Sequence, residues 1–599
     1  MTHNHSKKRY WFIPMIIFLL VVILGCTQLD TDSNKKPKQN IDKMEKYDVN
    51  APAEDATTGK AWKNVYKGGI SSRVNSIHQT SDGGYIATGY IDYGLEAPEG
   101  FNNTIILYNE AAILLRIDKD GNKVWEKSFG GLSMSACSGY NNTICTLNKD
   151  KPSRWLTRTI GRSVQQTSDG GYVIVGDYHT AKVTDDPKRF QYDKGDEVYL
   201  VKTDEKGNIK WKKTYGEYYQ EYGYDVQETS DKGFFIVGAT TSYGVSPYTA
   251  KELGQIAPED IYLLKTDANG NILWKKVYGG IFPDMAFSGQ QTSDGGYIIA
   301  GITASFGRNN TKDGLLDLLS LPPVDDENLN LNERLKQANK ESIYTLSVKS
   351  GLPYYMRMEE ENRGDIYLLK IDSKGSKVWE KTFGTKEVSE IAYSVQETLD
   401  GGYILVGQTY WPVEPYELFN NPGCWPHEPC DNSTPPVPRS DVYLIKTDAN
   451  GNKIWEKSFG GEALETYPMY STKKIGLRDD IGYSVQQTSD GGFIISGFTR
   501  SVVHRTDRYD KYTGQWAPES RSTYLVKTDS NGDKSWEKVY MTPPGIVSIL
   551  SNVGRGTYAE QTSDGGYIIA AGQLTTYEEE SRAERGHAYI IKTDENGDV

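Results

Sequence analysis

One phrase, Gln-Thr-Ser-Asp-Gly-Gly-Tyr-Ile followed three or four residues later by glycine, recurs seven times in closely similar form, and no other feature limits the possible folds as much. Its turn aspartates are Asp82, Asp169, Asp231, Asp294, Asp400, Asp490 and Asp564. Asp169, Asp231 and Asp294 stand 62 and 63 residues apart, which sets the basic unit, and wider spacings mark insertions. A second phrase, Tyr-Leu-x-Lys-Thr-Asp-x-x-Gly-Asn-x-x-Trp-x-Lys, follows each copy and is clearest from Tyr262 to Lys276. A length of 599 residues would otherwise suggest several domains, but a repeat array folds as one.

Each unit reads as four strands; in the second unit they span Ser163 to Thr167, Gly171 to Gly176, Val198 to Asp204 and Ile209 to Tyr215. The Ser-Asp-Gly-Gly and Asp-x-x-Gly-Asn segments between them are hairpin turns, because Asp caps its own turn and Gly accepts positive φ. The repeated Asp is thus architectural. Middle strands such as Tyr172-Val173-Ile174-Val175 are apolar on both faces, so each small sheet must be covered on both sides. Radially stacked blades supply that cover, and the fold class expected is all-β: a single seven-bladed β-propeller with four-stranded blades. The abundance of tyrosine, 42 residues, and glycine, 60 residues, suits many short strands joined by tight turns.

Strand counting also predicts how the ring closes. The seventh unit stops at Asp594-Glu595-Asn596-Gly597-Asp598-Val599, before its Trp strand. Ala61-Trp62-Lys63-Asn64-Val65-Tyr66, ahead of the first complete unit, matches the Trp-x-Lys-x-Tyr pattern of Trp274 to Tyr278. An N-terminal strand is therefore expected to complete the last blade, which removes two sheet edges. The propeller spans residues 59–599, with an insertion at 303–363 inside blade 4.

With these motifs in place, the layout resembles the repeat-propeller lipoproteins of bacterial and archaeal surfaces, particularly those with Asp-Gly-x-Ile-x-x-x-Gly repeats. The Asp-x-x-Gly-x-x-x-Trp segment, here Asp118, Gly121 and Trp125 or Asp448, Gly451 and Trp455, is similar to the tryptophan-docking motif of quinoprotein-like propellers. Both resemblances imply a propeller and say little about function, since one fold hosts many activities. No cofactor is expected: the docking motif is a packing feature, and no residues that would hold a quinone match.

The N-terminus reads as an address. Lys7, Lys8 and Arg9 precede an apolar run from Trp11 to Leu24, and Ile23-Leu24-Gly25-Cys26 resembles the lipobox of prokaryotic lipoproteins, with Ile23 in place of its usual leucine. The run is too short to span a bilayer comfortably, so residues 1–25 are expected to be a cleaved signal peptide; an uncleaved signal anchor is the alternative. The lipobox implies lipidation of Cys26. Residues 26–58, rich in Asp, Lys, Asn and Pro, read as a disordered tether with an end-to-end distance of roughly 30 Å. Both readings put the ring on the extracytoplasmic side of the cell membrane or envelope. The remaining four cysteines form two local pairs, Cys137 with Cys145 and Cys424 with Cys430, read as disulfides suited to an oxidising compartment. Free thiols are the alternative, and the spacing and missing histidine pairs disfavour zinc.

Function is expected at one face. If the first strand of each unit is innermost, the short uniform turns lie together on one side of the ring. The second-to-third and inter-blade connections lie on the other, with lengths from a few residues to about sixty. On that face are both cysteine pairs and the four Trp outside the repeats and signal: Trp155, Trp411, Trp425 and Trp516. The largest insertion carries Tyr354-Tyr355 and a helix expected near Asn330 to Lys340. Three connections share Gly-x-x-Ala-Pro-Glu, ending at Glu99, Glu259 and Glu519; a proline turn explains the motif, and cation or partner binding is the alternative. The aromatics read either as stacking platforms for glycans or peptides, or as loop packing. At one register of the first strands, His78, Gln165, Gln227, Gln290, Gln396, Gln486 and Glu560 form a ring that lines the channel or bonds blade to blade; buried amides need partners, which favours bonding.

A formal charge of -13 leaves no basic footprint, so no nucleic-acid partner is expected. Asp-x-Asn-Gly-Asn fails the order of a calcium loop, and no metal site is assigned. Signatures of serine hydrolases, zinc peptidases, phosphate loops and sialidases are absent. The function expected is an envelope-anchored binding or scaffold module, partnered by the membrane through its lipid and by an envelope glycan or protein. A polysaccharide- or peptide-active hydrolase or lyase using rim carboxylates is the alternative.

Overall fold

The computed structural model describes residues 61–69, 71–93, 95–96, 110–130, 137–141, 144–147, 154–183, 190–192, 195–217, 219–242, 259–280, 283–306, 364–385, 388–411, 439–460, 478–499, 509–510, 515–516, 522–540, 558–578 and 583–599. All of them fall in one compact unit, Pro52–Val599. Every regular element among them is a strand.

Seven antiparallel four-stranded blades follow one another along the chain. In blade 3 the order is Glu221–Glu228, Phe234–Thr240, Asp260–Thr266 and Ile272–Tyr278, each paired with the next. Each first strand packs against the first strands of the blades on both sides, and blade 7 (Tyr558–Gln561) meets blade 1 (Ser71–Gln79). The first strands are thus innermost and the circle is closed. Burial follows from that arrangement. Every residue of Phe234–Thr240 and Asp260–Thr266 is buried, whereas the outer strand Ile272–Tyr278 is half-buried or exposed. Seven apolar clusters fill the seven interfaces between blades, so no blade has a core of its own.

The N-terminal strand Trp62–Tyr66 completes blade 7, as strand counting predicts. It pairs antiparallel with Ala583–Thr593, from Trp62 opposite Lys592 to Tyr66 opposite Ala588. Blade 2 departs from expectation in extent. Its first hairpin runs through Arg154–Gln166 and Tyr172–Val183, well beyond the predicted ends at Ser163 and Gly176, because pairing continues to Arg154 opposite Val183. The helix expected near Asn330 lies outside the described residues.

Three devices repeat around the ring, and each uses a residue of the sequence phrases. The turn aspartate accepts from its own Thr, as in Thr80 Oγ1 to Asp82 at 2.6 Å, and receives a buried cation from the third strand. That cation is Arg116 in blade 1 and Lys202, Lys265, Lys370, Lys446, Lys527 and Lys592 in the others. The Trp of each outer strand covers the turn glycine of the next blade, from Trp125 over Gly207 to Trp536 over Gly597, and Trp62 over Gly121 closes the series. Finally, the residue before each Thr-Ser-Asp turn accepts from the turn amide of the preceding blade. Gln166 takes Ser81 N–H at 2.8 Å, Glu228 takes Ser168 N–H at 2.7 Å, and so on until Gln79 takes Ser563 N–H at 2.8 Å.

Candidate functional site

These rings occupy the short-turn face and consume its polar groups. The turns carry tight Asx hydrogen bonds, as in Asn208 and Asn271 to Asp204 and Asp267, and they vary little between blades. What varies is the opposite end of the blades and the channel between them.

Inside the channel the ring at Gln165 is a set of bonds between blades. Gln165 accepts from Glu228 N–H at 2.7 Å, Gln227 from Gln291 N–H at 2.6 Å, Gln396 from Gln487 N–H at 2.6 Å and Gln486 from Gln561 N–H at 2.7 Å. At the closing seam the amides give way to ionisable groups: His78 Nδ1 lies 2.9 Å from Glu560, which also accepts from Gln79 N–H. Tyr558 lies tilted against His78, with centroids 4.6 Å apart. One register up, Ser163 donates to Asp225 at 3.0 Å and Gly289 N–H donates to it at 3.2 Å; burial nevertheless raises the Asp225 carboxyl above the usual range.

The next level is different in kind. In six blades the strand register shifts by one residue, at Asn75, Arg162, Tyr224, Phe287, Tyr393 and Tyr483 of the first strand. Such bulges re-aim a side chain. The rings form a continuous half-buried collar: Tyr224 to Phe287 at 5.3 Å, Phe287 to Tyr393 at 5.3 Å and Tyr393 to Tyr483 at 5.0 Å between centroids. Arg162 continues it, its guanidinium 5.1 Å from the Tyr224 centroid.

Arg162 also joins the collar to an ionic network at the long-connection end of blades 1 and 2. Its Nε donates to Asp177 at 2.6 Å. Four residues earlier on the same strand, Arg158 pairs with Glu110, and His179 Nδ1 lies 2.8 Å from Asp196. Burial is the largest influence on Glu110 and Asp177 and pushes both carboxyls up, while Arg158 and Arg162 pull them back only in part. In the sequence this network is a departure from the repeat: Asp177 stands where blades 3 and 4 have Ala239 and Ile302. The collar was also legible, as an aromatic three residues before the ring amide in four consecutive repeats. Neither pattern is a known motif.

The sequence-predicted site residues are only partly placed. Trp155 lies on the first strand of blade 2, three positions before Arg158 and opposite Lys182. Trp411 ends the second strand of blade 5 opposite Arg439, and Trp516 pairs with Tyr509 in a two-residue bridge. Glu259 immediately precedes the third strand of blade 3, where its carbonyl accepts from Asp284 N–H at 2.7 Å. Cys137 and Cys145 fall on adjacent paired strands, Cys137–Asn141 and Ile144–Leu147, opposite Leu147 and Tyr140 respectively. Cys26, Glu99, Tyr354, Tyr355, Cys424, Trp425, Cys430 and Glu519 lie outside the described residues.

No family model matches the chain, and no curated protein matches it. Among solved structures, the lignostilbene dioxygenase of Pseudomonas brassicacearum is 10% identical, covers 88% of this chain and 94% of its own, and has a TM-score of 0.35. The Pan2 WD40 domain of Neurospora crassa is 8% identical over 72% of this chain and 88% of its own, with a TM-score of 0.30. At scores of this size the likeness says nothing of what this chain does. Its propeller rests on its own strand pairing.

Proposed function

We propose that this chain is a lipid-anchored, extracytoplasmic binding or scaffold module of the cell envelope, akin to the surface repeat-propeller lipoproteins it resembles in sequence, and that it recognises an envelope glycan or protein through its long-connection face. One observation carries the reading: the short-turn face is a closed lattice of inter-blade bonds, while every variable connection leaves the opposite face. The lipobox-like junction at Cys26 supports the anchor, and the cysteine pairs support an oxidising compartment.

Replacing Trp411, Trp425 and Trp516 together with alanine is expected to lower affinity for an envelope polymer or partner at least tenfold while the fold survives. Replacing Asn208 or Asn271 in the opposite turns is expected to leave binding unchanged. The reverse pattern overturns the assignment of the face, and turnover of a polymer at rates set by Glu259 or Glu519 overturns the non-catalytic role. Cys26→Ala is expected to abolish lipid labelling and membrane retention; unchanged labelling overturns the anchor.

A further inference from the structure

The collar and the ionic network meet at Arg162, and their chemistry is complementary. Four neighbouring blades present aromatic rings at one level of a channel whose other levels are polar. With seven blades about one axis and centroids 5.0–5.3 Å apart, the rings stand about 6 Å from the axis, which leaves room for one small ring-shaped group in contact with them. Beside them, at the long-connection end, cations and carboxylates alternate in pairs: Arg162 with Asp177, Arg158 with Glu110. Within these two pairs the charges cancel, so donors and acceptors stand side by side with each arginine matched by a carboxylate.

That balance discriminates between ligands. An anion would have to sit against the Asp177 and Glu110 carboxylates and a cation against the Arg158 and Arg162 guanidiniums, so each would bring like charges together in a partly buried site. A neutral polyhydroxylated ring does neither, because each hydroxyl both donates and accepts and can join the network without breaking a pair. Its C–H faces meet the aromatic rings. The network also has an acceptor to spare: both Arg162 contacts reach the same oxygen of Asp177, and the other oxygen has no hydrogen-bond partner among the described residues although Asp177 is only 7% exposed. Such orphaned buried acceptors are rare and call for an explanation.

We propose that the channel mouth at blades 1 and 2, between the Tyr224–Tyr483 collar and the Arg162–Asp177 pair, is a pocket for one uncharged sugar residue of a glycan. The pocket deepens the proposed function and rests on its assignment of the recognition face.

The test uses the full-length protein in detergent against immobilised neutral oligosaccharides (glucans, mannans and galactans), with uronic-acid and sulfated oligosaccharides as the charged arm, followed by titration of the best binder. Neutral chains are expected to bind and charged ones not. Tyr393→Ala and Asp177→Asn are each expected to weaken that binding at least tenfold, and Tyr393→Phe to hold it within about threefold, because the ring rather than the hydroxyl makes the contact. Tyr393 and Asp177 lie on different blades, so loss of folding in one variant, seen by thermal melting, leaves the other to decide. Binding restricted to charged chains, or to none, overturns the pocket. If the triple Trp variant loses binding while Tyr393→Ala and Asp177→Asn retain it, the pocket fails and the recognition face stands; if all three retain it, both fail.

Discussion

Ring closure can be tested at one contact, Trp62 on Gly121. Trp62 is 1% exposed, donates from its indole to Lys119 carbonyl at 3.2 Å and packs edge-on against Tyr85 at 5.9 Å. Truncating such a side chain to alanine costs about 3–5 kcal/mol. Spread over the cooperative unit Pro52–Val599 at roughly 2.1 cal/mol/K per residue, that lowers Tm by about 3–4 °C. Gly121 tests the same contact from the other side. Its φ is 88°, and a Cβ there would lie 2.5 Å from Asn64 Nδ2 and 2.8 Å from the Trp62 ring. Gly83 is the control, with φ of 84° and nothing within 4 Å of an added Cβ. Gly83→Ala therefore carries only the left-handed backbone cost, roughly 1–2 kcal/mol, while Gly121→Ala carries that and the clash. Removing the indole relieves the ring's share of the clash and leaves the Asn64 contact, so Trp62→Ala and Gly121→Ala together should cost less than their sum, by about 0.5–3 kcal/mol. Urea melts of the four variants supply the cycle. Additive losses, with Gly121→Ala no worse than Gly83→Ala, would refute docking of the N-terminal strand on blade 1.

The repeated cation–aspartate pairs are asymmetric, since Lys527 is 7% exposed and Asp490 62%. Asp490→Asn, which strands a buried ammonium, should destabilise more than Lys527→Met, which leaves a carboxylate in water; equal losses by thermal melting would contradict the pairing. Partial burial raises Asp490, but bonds from Lys527, Thr488 and Gly492 outweigh it and hold the carboxyl down at about 2. A depressed carboxyl contributes stability that is present above its unfolded value near 4 and lost as pH falls towards 2, so wild type should lose stability over that window and Asp490→Asn should lose less. Glu390 has the opposite sign: burial, with Asp365 nearby, pushes it up to about 8. Its contribution is complete below about pH 4 and is lost as pH rises through 8, so Glu390→Gln should melt above wild type at pH 9 and near it at pH 5; a variant less stable at pH 9 would refute this. Non-reducing peptide mapping should find Cys137 linked to Cys145 and Cys424 to Cys430, and a Cys137–Cys424 link would contradict two local loops.

Much of the fold was legible because its determinants are local and repeated. Asp82 and Gly83 make their turn within a few residues, and apolar strands such as Phe234–Thr240 state their two-sided burial directly. The missing Trp strand after Asp594 and its counterpart at Trp62 could be matched by inspection, since both follow one template. Lys202 and its equivalents were harder to read: a lysine in an apolar strand explains itself only when the turn aspartate is seen beside it.

The candidate site divides along the same line. The sequence by itself determined seven blades, their closure and a face where long connections gather, because hydrogen-bonded turns and strand periodicity depend on neighbours in the chain. Only the tertiary structure decided that Tyr224, Phe287, Tyr393 and Tyr483 share one level of the channel, and that Arg158 and Arg162 meet Glu110 and Asp177. Those residues are brought together by bulges and blade stacking, across as much as 106 positions between Phe287 and Tyr393 on adjacent blades alone, and the compensation of charge that defines the patch exists only in space.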